Sequence, residues 1–421
     1  MDLFGKAARG IMLGVVGLAC GGCPGNSGAA ELEKYGAVRD FLVAHTNVVE
    51  LTGEQGERVA LCPEYQGRVM TSTTGDLEGR SLGWVNKAFI ESGAKDPHFN
   101  NYGGEDRLWL GPEGGPYSLW FAPGAEQKLG NWLTPPSLNE GPFQIVSGKD
   151  EPYYRLSRQM KLQNAAKTQF ELEVNREIRL QKLHHFGKLF GSEAQSALTA
   201  GKLRMVGFQT VNTITNRGAA MSFDKGLLSV WSLGQFPATS GTYIVIPYRD
   251  GDKDLGPIVN GDYFGRIPAD RLRVSAQAIW FLGDGKFRSK IGVPQPRAKA
   301  IAGAIDLRQG LLTLVHFTMP SDPTGFSYVN NNWGPQKEPY RGDVFNSYND
   351  GAPEPGKPAM GGFFELESLS PAAQLPTGKS LTHTHTTFHI EGDPAALALV
   401  AKAALGADVK VEQMASEKSK R

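Results

Sequence analysis

Two strand-like segments carry reactive side chains at period two. In "FFELESLS", Glu365 and Glu367 stand two residues apart, so strand geometry sends both carboxylates to one face. Like charges this close resist joint ionisation. One pKa then rises, as a general acid or base requires, unless a cation settles between them. The alternative is a solvated polar face. In "LTHTHTTFHI", His383, His385 and His389 share a face with Thr387. Two imidazoles at this spacing hold a transition metal if a carboxylate joins them; an outward Thr/His alternation is the bland alternative. A third stretch, "NNYGGEDRLWLGPEGG", sets Glu105, Asp106, Arg107, Trp109 and Glu113 between two Gly-Gly pairs. Glycine pairs form turns, but these charges are costly to bury unless paired. The stretch reads as a polar-ligand site closed by Asn101, Tyr102, Glu105, Asp106, Arg107 and Trp109. The alternative is a loop fixed by Arg107 pairing with Glu105, Asp106 or a strand carboxylate.

Aromatics stand beside these polar groups, as in "GGPYSLWFAPG" and "NNYGGEDRLW". Such mixtures suit carbohydrate, because rings stack on sugar C–H faces while charged and amide groups bind hydroxyls. Trp109, Trp120, Trp132 and Trp231 are the candidate platforms, with core packing as the alternative for each. No "GxSxG", Walker loop, dinucleotide fingerprint or "HExxH" occurs, which removes the most recognisable hydrolase, nucleotide and zinc-protease readings.

The elements that must position these residues are mostly strands. From about residue 45 to 390, patterns such as "ERVALCP", "TQFELEVNREIRL", "LLSVWSLG", "TYIVIPY" and "LLTLVHFT" follow one another, bounded by Gly, Pro, Asn and Asp. Alternating strands and helices, which a parallel α/β sheet needs, are missing. The expectation is an all-β body with a few peripheral helices. These are an amphipathic helix in "ELEKYGAVRDFLVAHT", a helical insert at "SEAQSALTAG", and a C-terminal helix capped by Asp393 with Pro394 at its first position. The basic stretch "NREIRLQKLHHFGK" is read as one exposed face.

The formal net charge of +1 and the lack of a basic patch with interleaved aromatics argue against nucleic acid as a partner. Residues 1–19 combine a basic start (Lys6, Arg9) with an apolar run from Ile11 to Ala19, the pattern of a secretory signal peptide. "GLAC" resembles a bacterial lipobox with Cys20 as the lipidated first mature residue, and residues 20–30 then form a flexible tether. The expected organisation is thus an exported chain anchored by lipid to the cell envelope. Its β domain covers 31–392, and a helix and charged tail cover 393–421. Cys62 is the remaining cysteine beyond the tether, so no disulfide and no Cys-based metal site is available within the domain.

Together, the early Gly-Gly motif, "TNRG", "FELES" and "PTGKSLTHTHTTFHI" resemble the galactose-mutarotase-like β-supersandwich proteins, and "GGEDRLWLGPEGG" resembles a bacterial lipid-anchored branch of them. The resemblance implies a large antiparallel β-supersandwich with Glu367 as general base at a sugar's anomeric hydroxyl. It also implies a histidine just before the Gly-Gly, where this chain has Tyr102, and another near "VNTITNRGAAMSFDKG", where it has none. A missing general acid removes a contribution of about 10²–10⁴ in rate, so ordinary aldose epimerisation is in question. Tyr102 as a phenolic acid or Arg107 as oxyanion stabiliser are the substitutes, beside Glu365. The expectation is a carbohydrate-binding protein with Asn101, Glu105, Asp106, Trp109, Glu113 and Trp231 as ligand contacts. The alternatives are a sugar-active enzyme, epimerase-like or polysaccharide-cleaving, and a non-catalytic envelope scaffold. No cofactor is expected; a divalent cation at the carboxylates or at His383 and His385 stays open.

Overall fold

Alternation along the longest strands stacks the layers of this protein. The computed structural model describes residues 32–147, 152–322 and 325–409. The strands are β1 Val49–Thr52, β2 Arg58–Cys62, β3 Arg68–Thr73, β4 Arg107–Gly111, β5 Gln144–Ser147, β6 Tyr153–Gln163, β7 Gln169–Leu180, β8 Arg204–Asn216 and β9 Ser229–Pro237. They continue with β10 Tyr243–Pro247, β11 Leu272–Val274, β12 Ala278–Leu282, β13 Ser289–Pro294, β14 Ile301–Asp306, β15 Leu311–Phe317, β16 Asp343–Asn349, β17 Phe363–Leu369 and β18 Ser380–Glu391. Their pairings are antiparallel. Three sheets result: β1-β2-β3; a ten-stranded β11-β12-β10-β14-β15-β18-β8-β7-β6-β5; and a five-stranded β13-β16-β17-β9-β4. The all-β expectation holds. Residues 1–31, on which the expected signal peptide, lipidated Cys20 and tether fall, and the charged tail from residue 410 lie outside the described residues.

The helices are α1 Tyr35–His45, α2 Lys87–Ser92, α3 Pro136–Asn139, α4 Leu183–Phe190, α5 Ser192–Ala200 and α6 Pro394–Leu405. Asp393 caps α6 by accepting from the amides of Ala395 and Ala396, both at 3.0 Å, which satisfies donors that the first helical turn leaves open. In β18 and β15 one face (Phe388, Ile390, Leu312, Leu314) packs under α4, α5 and α6 with Phe186, Leu198 and Val400. The stretch read as one exposed basic face is instead divided. Its first part completes β7, and its second is α4, whose Phe186 and Phe190, one helical turn apart, bury against Phe388.

The opposite face of β18 meets the five-stranded sheet, and this layer is polar. Asp106 accepts from Arg176 of β7, from Thr210 of β8 at 3.1 Å and from Ser232 of β9 at 2.5 Å. Glu105 accepts from the Ser72 amide at 2.5 Å and meets His389 Nε2 at 3.0 Å, while His389 Nδ1 meets Thr313 at 2.9 Å. His383 Nε2 and His385 Nδ1 both lie 2.8 Å from Ser368 Oγ. The outward Thr/His face proposed from sequence is therefore corrected, since His383, His385 and His389 are all buried. Among the described residues no cluster of three or more His, Cys, Asp or Glu is arranged to hold a metal. Burial lowers the pKa of His383 to about 3 and of His385 to about 4, so both are neutral in the folded protein at pH 7.

Two outcomes follow from this layer. Asp106→Ala leaves Arg176 buried and unpaired, so urea unfolding should show a loss of about 3–5 kcal/mol. Because the two histidines protonate at about 6.5 when unfolded but resist protonation when folded, the unfolded state binds more protons below that pH. The histidines' contribution to stability should therefore fall from about pH 6.5 towards pH 4, and His385→Gln should remove part of that fall relative to the wild type in urea titrations across the range.

Candidate functional site

The other face of the five-stranded sheet floors a cavity of about 730 Å3. Period two decides which side chains reach it: Arg107 and Trp109 from β4, Trp231 and Leu233 from β9, Glu365 and Glu367 from β17, Lys290 from β13 and Tyr348 from β16. The register lines them up across strands. Trp109 pairs with Trp231, Leu233 stands between Arg107 and Glu367, and Lys290 pairs with Tyr348. The walls come from connections, with His98, Phe99 and Asn101 on one side and Trp132, Phe264 and Trp333 on others. Asn100 anchors the first wall, since its amide donates to Asn139 Oδ1 of α3 at 2.7 Å.

Two ion pairs occupy the floor. Arg107 Nη2 donates to Glu365 Oε1 at 3.0 Å, and its guanidinium lies 4.4 Å from the Trp109 ring centroid and 4.9 Å from that of Phe99. Lys290 Nζ and Trp231 Nε1 both donate to Glu367 Oε2 at 3.0 Å. Glu367 is fully buried, and Glu365, Lys290 and Arg107 are nearly so. Such pairs carry a desolvation cost that hydrophobic residues would avoid, so their presence fits a chemical use better than a stabilising one.

The array holds a labile proton. Burial raises the pKa of Glu365 to about 7; Arg107 opposes the rise and Glu367 adds to it. Burial alone would lower the pKa of Lys290, but Glu367, Glu113 and Glu365 outweigh it and hold the ammonium above its ordinary value. Glu113 is raised by burial as well. Several buried polar atoms lack a partner among the described residues: Glu367 Oε1, Arg107 Nε and Nη1, and Asn101 Oδ1. An unmade buried hydrogen bond costs about 1–3 kcal/mol, and such atoms concentrate where a ligand or water supplies the bond.

Of the residues singled out from sequence, the fold brings Asn101, Arg107, Trp109, Glu113, Trp132, Trp231, Glu365 and Glu367 to this cavity. Glu105 and Asp106 do not reach it; they follow Gly104 with side chains committed to the inter-sheet layer. Tyr102 is also outside its lining. It stacks on Tyr65 at 4.1 Å with the buried Arg68 5.3 Å from its ring centre. Trp120 is buried behind Trp109 and Trp231.

Sequence reasoning missed Lys290, His98, Arg288 and Trp333. Lys290 alternates with Ile291 and Val293, so by period two it reads as an ordinary outward-facing polar residue. For His98, too, only the fold supplies a signal. Its Nδ1 lies 2.5 Å from the Trp132 carbonyl oxygen. A carbonyl only accepts, so Nδ1 carries a proton and donates in this bond. An imidazole thus lines the site although none stands at the position the family resemblance points to.

The sign of the Glu365 shift sets a test. Its folded pKa, about 7, lies above the 4.5 ordinary for a glutamate, so between those values the folded state binds more protons than the unfolded one. Glu365 therefore favours folding most below about pH 4.5, and this contribution fades as pH rises through 7. Glu365→Gln should remove the fading component, so that the mutant gains on the wild type between pH 5 and 8 in urea titrations.

The arrangement of strands is similar to that of solved structures at low identity. The Slr1438 protein from Synechocystis sp. PCC 6803 is 14% identical over 82% of this chain and 96% of its own, with a TM-score of 0.47. A protein described as "Putative aldose 1-epimerase" from Escherichia coli K12 is 12% identical over 82% of this chain and 99% of its own, also at 0.47. Likeness at this level brings no activity with it. None of the curated proteins compared with the chain matches it. A family model does match, over residues 33–416, and the chain belongs to that family, described as Family of unknown function (DUF6786).

Proposed function

We propose that this protein binds a carbohydrate in the cavity over the five-stranded sheet and that the floor carries out acid–base chemistry on it. The observation that carries this reading is the paired floor itself, two carboxylates on one strand face, held by Arg107 and by Lys290 with Trp231 beneath a wall of indoles. Indole and phenyl faces suit sugar C–H surfaces, and buried carboxylate, guanidinium and amide atoms without partners suit hydroxyls. The sequence resemblance to mutarotase-like proteins agrees with a sugar ligand.

In this reading Glu367 is the base. Lys290 and Trp231 share its Oε2, which leaves Oε1 to accept a hydroxyl proton. Glu365, which titrates near neutral pH, stores or returns a proton, and Arg107 stabilises negative charge developing on oxygen. His98 adds an imidazole to the wall. An exported, lipid-anchored location through Cys20 belongs to the same proposal and places the cavity outside the cytoplasm.

Thermal shift against mono- and oligosaccharides, with and without divalent cations, tests binding. A ligand at a hundred times its Kd adds about 2.7 kcal/mol of stability to the native state. Glu367→Gln should keep binding within about ten-fold yet lower turnover of any converted sugar by about 10²-fold or more. Unchanged turnover would remove Glu367 from the chemistry, and a lack of any shift across a broad panel would favour an envelope scaffold.

A further inference from the structure

The cavity contains a second polar centre that the acid–base floor does not use. Glu113 follows β4 and is fixed from both sides. Its amide donates to Asn331 Oδ1 at 2.8 Å, and its carbonyl oxygen accepts from Ser118. Its carboxylate is held by indoles, since Trp132 Nε1 donates to Oε1 at 2.9 Å and Trp333 Nε1 to the same oxygen at 3.1 Å. The other oxygen, Oε2, has no hydrogen bond among the described residues. Among the described residues no cation is within ion-pair distance of Glu113, unlike Glu365 and Glu367. Two tryptophans thus present one oriented carboxylate oxygen, a costly arrangement for a connection that only joins strands.

Scale and lining point the same way. The cavity, about 730 Å3, lies in the upper part of the range of about 300–1,000 Å3 for small-molecule clefts, whereas one hexose ring has only about twelve heavy atoms. The aromatic lining does not stop at Trp109 and Trp231 over the floor but continues to Trp132, Trp333 and Phe264. Phe264 is 38% exposed, with the Arg288 guanidinium 3.7 Å from its ring centroid. Arg288 makes no ion pair among the described residues, and it too lines the cavity. A free monosaccharide would use the floor and leave this wall idle.

We infer that the ligand is an oligosaccharide, with one ring over the Glu365–Glu367 floor and an adjoining ring seated on Trp132 and Trp333, its hydroxyls donating to Glu113. This inference rests on the proposed carbohydrate reading and narrows its ligand class. The chemistry is that of stacking plus one charge-assisted hydrogen bond.

The test is calorimetry of the full-length protein against gluco-, galacto-, manno- and xylo-oligosaccharides and peptidoglycan glycan fragments of one to six rings. The expected result is that a chain binds about ten-fold or more tighter than its own single sugar. Glu113→Gln and Trp333→Ala should each erase that gain, read as the ratio of chain to single-ring affinity in the same variant. Trp333→Phe, which keeps the apolar bulk but removes the N–H, should lose part of it, and guards against a fold defect in the alanine variant. Single rings binding as tightly as chains, or chain affinity indifferent to Glu113, would overturn the inference while sparing the carbohydrate reading. Silence across the whole panel would overturn both.

Discussion

The Arg107–Glu365 and Lys290–Glu367 pairs are the constraint from which the rest of the site follows. Both faces of the five-stranded sheet are covered, one by the ten-stranded sheet and the other by the cavity walls, so any charge on it must be neutralised locally. Arg107 reaches Glu365 across β9 because β4 and β17 flank that strand, and Lys290 reaches Glu367 across β16 for the same reason. Moving any of these strands by one residue would turn its charge into the inter-sheet layer and its apolar neighbour into the cavity. The register is therefore fixed by electrostatics as well as by packing.

The inter-sheet layer obeys the same rule with different partners. Asp106 and Arg107 are adjacent, so alternation sends one to each face, and each finds an opposite charge there, Arg176 on one side and Glu365 on the other. One dipeptide thus ties both layers to β4. The neutral histidines of β18 complete the interior by sharing the Ser368 hydroxyl. Ser368 neighbours Glu367 on β17 but faces away from it, so the His-rich strand supports the site from behind without entering it.

The aromatic wall adds selectivity of another kind. Indoles donate hydrogen bonds to two of the carboxylates: Trp231, beside Lys290, on Glu367, and Trp132 with Trp333 on Glu113. A carboxylate held by N–H donors remains a strong acceptor for hydroxyls. This favours a polyhydroxylated ligand over a cationic or purely apolar one.

By itself the sequence determined what depends on local order. Period two placed Glu365 and Glu367 on one face, strand and turn signals gave the all-β body, and Asp393-Pro394 marked the last helix, because backbone geometry dictates each of these within a few residues. It also singled out the charged loop after the Gly-Gly pair, though not which charge went where. Tertiary structure decided the rest. Glu105 and Asp106 looked like site residues because a charge between glycine pairs must find a partner, which the sequence does not name, and His383 and His385 because a pattern shows that side chains share a face but not what that face meets. Lys290, His98 and Trp333 stand far apart in the chain from the residues they join, so their convergence on Glu367, the Trp132 carbonyl and Glu113 depends on strand order and long-range packing, which no local spacing encodes.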